Sequence, residues 1–129
     1  MADIVYPGQT PESKLNLNAL PSNADLIIYK GDYLELFVTL KDEAGVALDL
    51  TGFTPEAVLK ADYYDRAPKP FTCTLDDAPA GRVRIFMSST ITSELMPGAY
   101  IWDFQVTDGS GETRTYLAGD VTVYNEVTT

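Results

Sequence analysis

The groups in this chain that could do chemistry are its carboxylates. Nineteen Asp and Glu stand against nine Lys and Arg, with no His, for a formal net charge of −10. Three pairs lie close enough in sequence to suggest the two-carboxylate arrangement of glycoside hydrolysis: Asp42 with Glu43, Asp62 with Asp65, and Asp76 with Asp77. All three fall in or beside stretches that read as turns, where an acid side chain typically bonds its own backbone. Asp108-Gly109-Ser110-Gly111-Glu112 resembles part of a calcium loop, yet it is too short and lacks the spaced oxygen ligands. The same residues suit a short hairpin, because Asp and Gly tolerate tight turns. A Ser or Cys nucleophile needs a base, most often His, and the chain has none. A lone Cys73 cannot close an intrachain disulfide, and one Cys without His excludes the usual zinc sites. These residues predict no enzyme, no metal and no cofactor.

The elements that carry these groups read as short strands. Residues 97–124 are the clearest stretch: Tyr100, Trp102, Phe104 and Val106 alternate with Ile101, Asp103, Gln105 and Thr107, the pattern of a half-buried strand. Asp103 is expected to point outward or to bond the Arg84 side chain. After the turn at 108–111, residues 113–118 return, Gly119 breaks the run, and 120–124 form a further strand with Val121 and Val123 on one face. Upstream, strands are expected at 25–29, 33–40, 46–50, 71–75 and 82–87. Leu34, Leu36, Val38 and Leu40 share the inner face of the second, with Tyr33 and Phe37 forming an aromatic patch opposite. Phe71, Cys73 and Leu75 point inward, as do Val83, Ile85 and Met87. Residues 53–64 suit helix or strand, since Thr54-Pro55-Glu56 could cap a helix; the strand-like neighbours favour strand from about 56 to 63. Ser88–Met96 written as SSTITSELM predicts a helical turn or two, with Ile91 and Leu95 inward. The resulting expectation is an all-β, antiparallel sandwich of about seven to nine strands with one short helical turn. Its core is predicted to include Leu36, Val38, Val83, Ile85, Tyr100, Trp102, Phe104 and Val121.

Length suits one domain at 25–124, preceded by an extended arm at 1–24 and followed by a polar tail at 125–129. Pro7, Pro11 and Pro21 resist regular structure in the arm, while Ile4, Val5 and Tyr6, then Leu15, Leu17 and Leu20, supply two apolar clusters. A solvated tail rarely carries so many large apolar groups, so these six are candidate assembly contacts. The arm either lies on another subunit, by adding a strand to it, or folds back on its own domain. The acidic balance argues against nucleic acid, and no apolar run approaches the length of a membrane span. Residues 1–10 lack the parts of a signal peptide, which predicts a soluble product made in a cytoplasm.

Five segments taken in order carry a resemblance. Leu48-Asp49-Leu50-Thr51-Gly52-Phe53, Gly81-Arg82-Val83-Arg84-Ile85, the Thr/Ser helical turn, Pro97-Gly98-Ala99-Tyr100-Ile101-Trp102-Asp103-Phe104 and Gly119-Asp120-Val121-Thr122-Val123 resemble the immunoglobulin-like β-sandwich domains of tailed-bacteriophage virion proteins. Such domains occur in long tail fibre components, baseplate proteins and some head-associated proteins. The resemblance spans about residues 29–124 and implies a non-enzymatic virion component that docks to other virion proteins, as an accessory of the tail fibre, tail tip or head. It carries no catalytic residues over. A homo-oligomer is open, though no coiled-coil or collagen-like repeat fixes a copy number. The alternative is a receptor- or carbohydrate-binding module, with Tyr33, Phe37, Tyr63, Tyr64, Phe86 and Tyr116 as sugar platforms.

Overall fold

Alternating apolar residues build two facing sheets. The structure, a computed structural model, describes residues 2–5, 22–42, 44–62 and 68–125. Its elements are β1 (Ala2–Val5), β2 (Ser22–Asn23), β3 (Leu26–Tyr29), β4 (Leu34–Leu40), β5 (Thr54–Lys60), β6 (Lys69–Pro70), β7 (Thr72–Asp77), β8 (Arg82–Met87), α1 (Ser89–Thr92), β9 (Gly98–Thr107) and β10 (Thr113–Tyr124). One sheet has the order β1-β4-β8-β7, and the other runs β10-β9-β5-β6 with β2 and β3 together along the outer edge of β10. Neighbours pair antiparallel except β2 and β3, which run parallel to β10. This is the immunoglobulin-like order: strands A, B, E and D on one sheet and C, F and G on the other. The fold is therefore an all-β sandwich of that type.

Between the sheets, every second residue of the central strands is buried. Leu36, Val38 and Leu40 on β4 and Val83, Ile85 and Met87 on β8 face Leu59 on β5, Trp102, Phe104 and Val106 on β9, and Leu117, Val121 and Val123 on β10. Each such side chain contributes roughly 1.5–3 kcal/mol by leaving water. Of the residues read as core, Tyr100 alone is half-buried; it packs on the cluster's margin and donates its hydroxyl to the Met96 carbonyl at 2.6 Å. That bond is a tyrosine corner, placed at the start of strand F and two residues ahead of the position that holds a core cysteine in antibody domains. Here the latter position is Trp102. Its ring meets Phe71 edge-on at 5.7 Å between centroids, and its indole N–H donates to the Ala24 carbonyl at 2.6 Å.

The Ala24 contact corrects two expectations. Gly119 does not break a strand: it pairs with Trp102 in one continuous β10, between Ala118↔Asp103 and Asp120↔Ile101. A glycine is required there for space, because an added Cβ would run into the Ala24 carbonyl oxygen and lie 2.9 Å from Asp25 Oδ1. The expected boundary between residues 24 and 25 also falls between β2 and β3, two short strands on the same edge of β10. Ser22 and Asn23 already pair with β10, Ala24 is buried, and its N–H bonds the Ala118 carbonyl at 2.9 Å. Farther upstream, Ala2–Val5 pairs with β4 from Ala2↔Leu40 to Val5↔Phe37, so this part of the arm, including the Ile4 and Val5 backbone, adds a strand to its own domain. Tyr6, Leu15, Leu17 and Leu20 lie outside the described residues, as does the tail beyond Asn125.

Two loops differ from expectation in smaller ways. Residues 46–50 form no strand, only the bridge Lys41↔Ala47, because their hydrogen bonds go to separate partners: Leu48 N–H to Leu40 and Leu50 N–H to Ala78. Leu50 is nonetheless fully buried and plugs that end of the core. The ambiguous 53–64 stretch is strand over Thr54–Lys60, where its alternation buries Ala57 and Leu59 against β9. At the opposite end, Ser88 caps α1 by accepting from Ile91 N at 3.3 Å. The deepest residue of that turn is Thr92, whose hydroxyl accepts from Gly31 N at 3.1 Å and donates to the Asp32 carbonyl at 2.8 Å.

Replacing Trp102 by Ala is expected to cost about 3–5 kcal/mol, because it empties a large core site. Trp102→Phe keeps a smaller aromatic ring but leaves part of the site empty and the Ala24 carbonyl without its indole donor, for about 1–3 kcal/mol. Gly119→Ala, which forces the edge strand off β10, is expected to cost about 1–3 kcal/mol. Urea unfolding followed by far-UV circular dichroism checks all three; a Gly119→Ala chain as stable as the parent contradicts the close approach.

Candidate functional site

The outer face of the β4–β8 layer is closed upon itself. Register sets Glu35 opposite Phe86 and Phe37 opposite Arg84, so side chains meet on the diagonals. Arg84 Nε donates to Glu35 at 2.6 Å, the same guanidinium bonds the Tyr33 hydroxyl at 2.5 Å, and its carbon lies 3.9 Å above the Phe86 ring. Arg82 repeats the pattern, standing 4.4 Å over Phe37 while pairing with Asp76 at 3.0 Å. Hydrogen bonding from Arg84 and from Tyr33 holds the Glu35 carboxyl below its ordinary range. Phe37 and Phe86 thus carry cations where a sugar would stack, so these two rings are occupied by the protein itself, while the Tyr33 ring stays exposed with its hydroxyl bonded to Arg84. Tyr63 and Tyr64 lie outside the described residues.

Of the acids read as catalytic candidates, Asp42 and Asp77 bond turn amides and Asp76 an arginine. Asp42 Oδ1 accepts from Ala44 N and Val46 N, both at 2.9 Å; its partner Glu43 lies outside the described residues, as does Asp65. Asp77 accepts from Ala80 N at 3.3 Å while Asp76 pairs with Arg82. Asp108 Oδ1 gathers Ser110 N, Ser110 Oγ and Glu112 N at 2.7–3.0 Å, closing the β9–β10 hairpin with Gly111 at φ 90°. The Ser110 hydroxyl and the Glu112 N–H together hold the Asp108 carboxyl below its ordinary value, and Thr51 does the same for Asp49. Among the described residues, no group of three or more Asp, Glu, Cys or His is placed to hold a metal ion. Cys73 is half-buried, and loss of hydration pushes its thiol up to about 12.

The outer face of the larger sheet is different in kind. Along its β3–β10 edge, Ile27 is 60% exposed, Tyr29 51% and Tyr124 47%, with the two tyrosine rings 5.6 Å apart. Next to them, toward β9 and β5, lies a shallow depression of about 350 Å³ lined by Asn23, Val58, Lys60, Ile101, Asp103 and Asp120, among others. Asp103 is exposed on this outer face, the first of its two expected placements; the other, a bond to Arg84, does not form because Arg84 belongs to the opposite sheet and bonds Glu35, with the core between them. Partial desolvation pushes the Asp103 carboxyl above its usual value, and Lys60 pulls it back through its field. Among the described residues, neither the Asp103 nor the Asp120 carboxylate makes a hydrogen bond or ion pair. Sequence reasoning missed this face. A signal existed in Leu26-Ile27-Ile28-Tyr29, where an unbroken apolar run at a one-sided edge strand must leave every second residue in solvent.

No protein-family model matches the chain, and no curated protein matches its sequence. Solved structures share the fold. The N-terminal domain of phage TP901-1 ORF48 superposes with a TM-score of 0.56 at 14% identity, over 85% of this chain and 93% of that one. The SrpA adhesin of Streptococcus sanguinis gives 0.48 at 12% identity, over 97% of this chain and 58% of that one. A fibronectin(III)-like module of Clostridium thermocellum CbhA gives 0.40 at 12% identity, over 87% and 98%.

Two outcomes follow from the titrating groups. Cys73 in the folded chain is expected to resist a thiol-specific disulfide reagent at pH 8 and to react at once in denaturant; immediate reaction of the native chain contradicts its burial. Because the Asp108 carboxyl is lowered on folding, it stabilises the native state above the unfolded value, and that advantage disappears as pH falls through the folded one. Thermal unfolding should therefore separate the parent from Asp108→Asn above the ordinary aspartate range of about pH 4, with the gap shrinking steadily as pH falls below it. A gap that stays constant with pH removes the charge from the explanation.

Proposed function

We propose that this chain is a non-enzymatic structural component of a tailed-phage virion, docking to other virion proteins as an accessory of the tail fibre, tail tip or head. The observation that carries the reading is the contrast between its two outer faces. One has its charges and rings paired within the chain, while the other presents large apolar groups and two carboxylates, Asp103 and Asp120, that are unpaired among the described residues. Surfaces of the second kind mark protein contacts. The turn acids fit the same reading, since side chains engaged in Asx turns and ion pairs are not poised for proton transfer. Fold likeness alone assigns no role. The likeness to the ORF48 domain, which takes in 93% of it, supports the phage setting in combination with that surface.

The test is whether the chain travels with the particle. Mass spectrometry of gradient-purified virions is expected to find it at a constant ratio to the other structural proteins. Its absence from particles, with the chain left soluble in the lysate, overturns the proposal.

A further inference from the structure

We infer that the outer face of the β3–β10–β9–β5 layer, from Ile27, Tyr29 and Tyr124 to the depression beside Asp103, seats a segment of a different polypeptide that presents a Lys or Arg among apolar side chains. This rests on the assembly reading and names the partner's chemistry. The face is continuous: register sets Tyr124 beside Tyr29, Thr122 beside Ile27 and Asp120 opposite Ile101, so apolar edge and depression share one surface.

Charge complementarity selects the occupant. Among the described residues, Asp103 and Asp120 line the depression with Lys60 as the one cation, and neither carboxylate is bonded. Val58 and Ile101 supply apolar walls along which the stem of a Lys or Arg can lie while its head reaches the acids. A second copy of this chain is a poor fit: at −10, two copies repel, and the same acid-lined face would meet itself in a two-fold contact. A cationic segment removes the repulsion and gives the exposed Asp103 carboxylate a direct partner on this face.

The experiment uses particles assembled with the full-length chain. Ile27→Ser with Tyr124→Ser, and separately Asp103→Lys with Asp120→Lys, are expected to lower incorporation at least about tenfold, while Thr90→Lys on α1 and Thr74→Gln on the opposite sheet stay within about twofold. Unchanged melting temperatures of the purified variants establish that folding is intact. In a second arm, p-benzoylphenylalanine replaces Tyr124 and the particles are photo-crosslinked. A crosslink to another protein, with a Lys or Arg within a few residues of the attachment point, is the expected result. A crosslink to a second copy of this chain, or to a segment without basic residues, overturns the inference, as do face variants that incorporate normally. Parent chain absent from particles overturns the assembly reading itself, a failure that the parent control separates from the others.

Discussion

With one cysteine, an immunoglobulin-like sandwich has no covalent bond between its sheets, and the indole of Trp102 stands where one would be anchored. The ring fills the core against Phe71, and its N–H reaches the Ala24 carbonyl on the edge strand. A buried indole N–H without an acceptor would be costly, so the ring depends on the edge strand passing close beside β10 at this place. Gly119 permits that approach, since any side chain would collide with Ala24. Three residues far apart in sequence thereby fix how the β2–β3 edge seats against β10. The register of the larger sheet's edge follows from this arrangement.

The two outer faces then diverge for reasons visible in their residues. On β4 and β8, long cations alternate with rings and an acid in a register that lets each guanidinium reach both. Such a lattice satisfies itself and gains little from a partner. On β3, β10 and β9, apolar groups stand beside acids that make no hydrogen bond or ion pair among the described residues, Lys60 acting on Asp103 only through its field. The energetic gain left to make is on that side, through burial of Ile27, Tyr29 and Tyr124 and through pairing of Asp103.

Much of the fold is legible because the alternation is strong. β4, β8 and β9 each place three consecutive alternate residues in the core, and their bounds lie within one residue of the periodicity. What escaped was what depends on distant contacts. Gly119 looks like a breaker because its need for space comes from Ala24, and no local pattern carries that information. Residues 46–50 look like a strand, but their hydrogen bonds go to three different places. Thr92 hides in a polar turn and becomes the most buried hydroxyl because Gly31 and Asp32 approach it from the neighbouring loop. For the candidate surface, composition pointed to the N-terminal clusters, whereas three of the exposed large apolar groups of the described chain, Ile27, Tyr29 and Tyr124, stand together along the β3–β10 edge, with Tyr33, Val46 and Met96 exposed elsewhere.

The central claim is that one face of this sandwich is built for contact and the other is complete without it. A cryo-electron microscopy reconstruction of the particle, at a resolution that traces side chains, tests it directly. The account predicts a different polypeptide lying across Ile27, Tyr29 and Tyr124, with a basic side chain near Asp103 and the Arg82–Arg84 face open to solvent. A map in which the arginine face is buried and the Tyr29–Tyr124 edge is bare would contradict it.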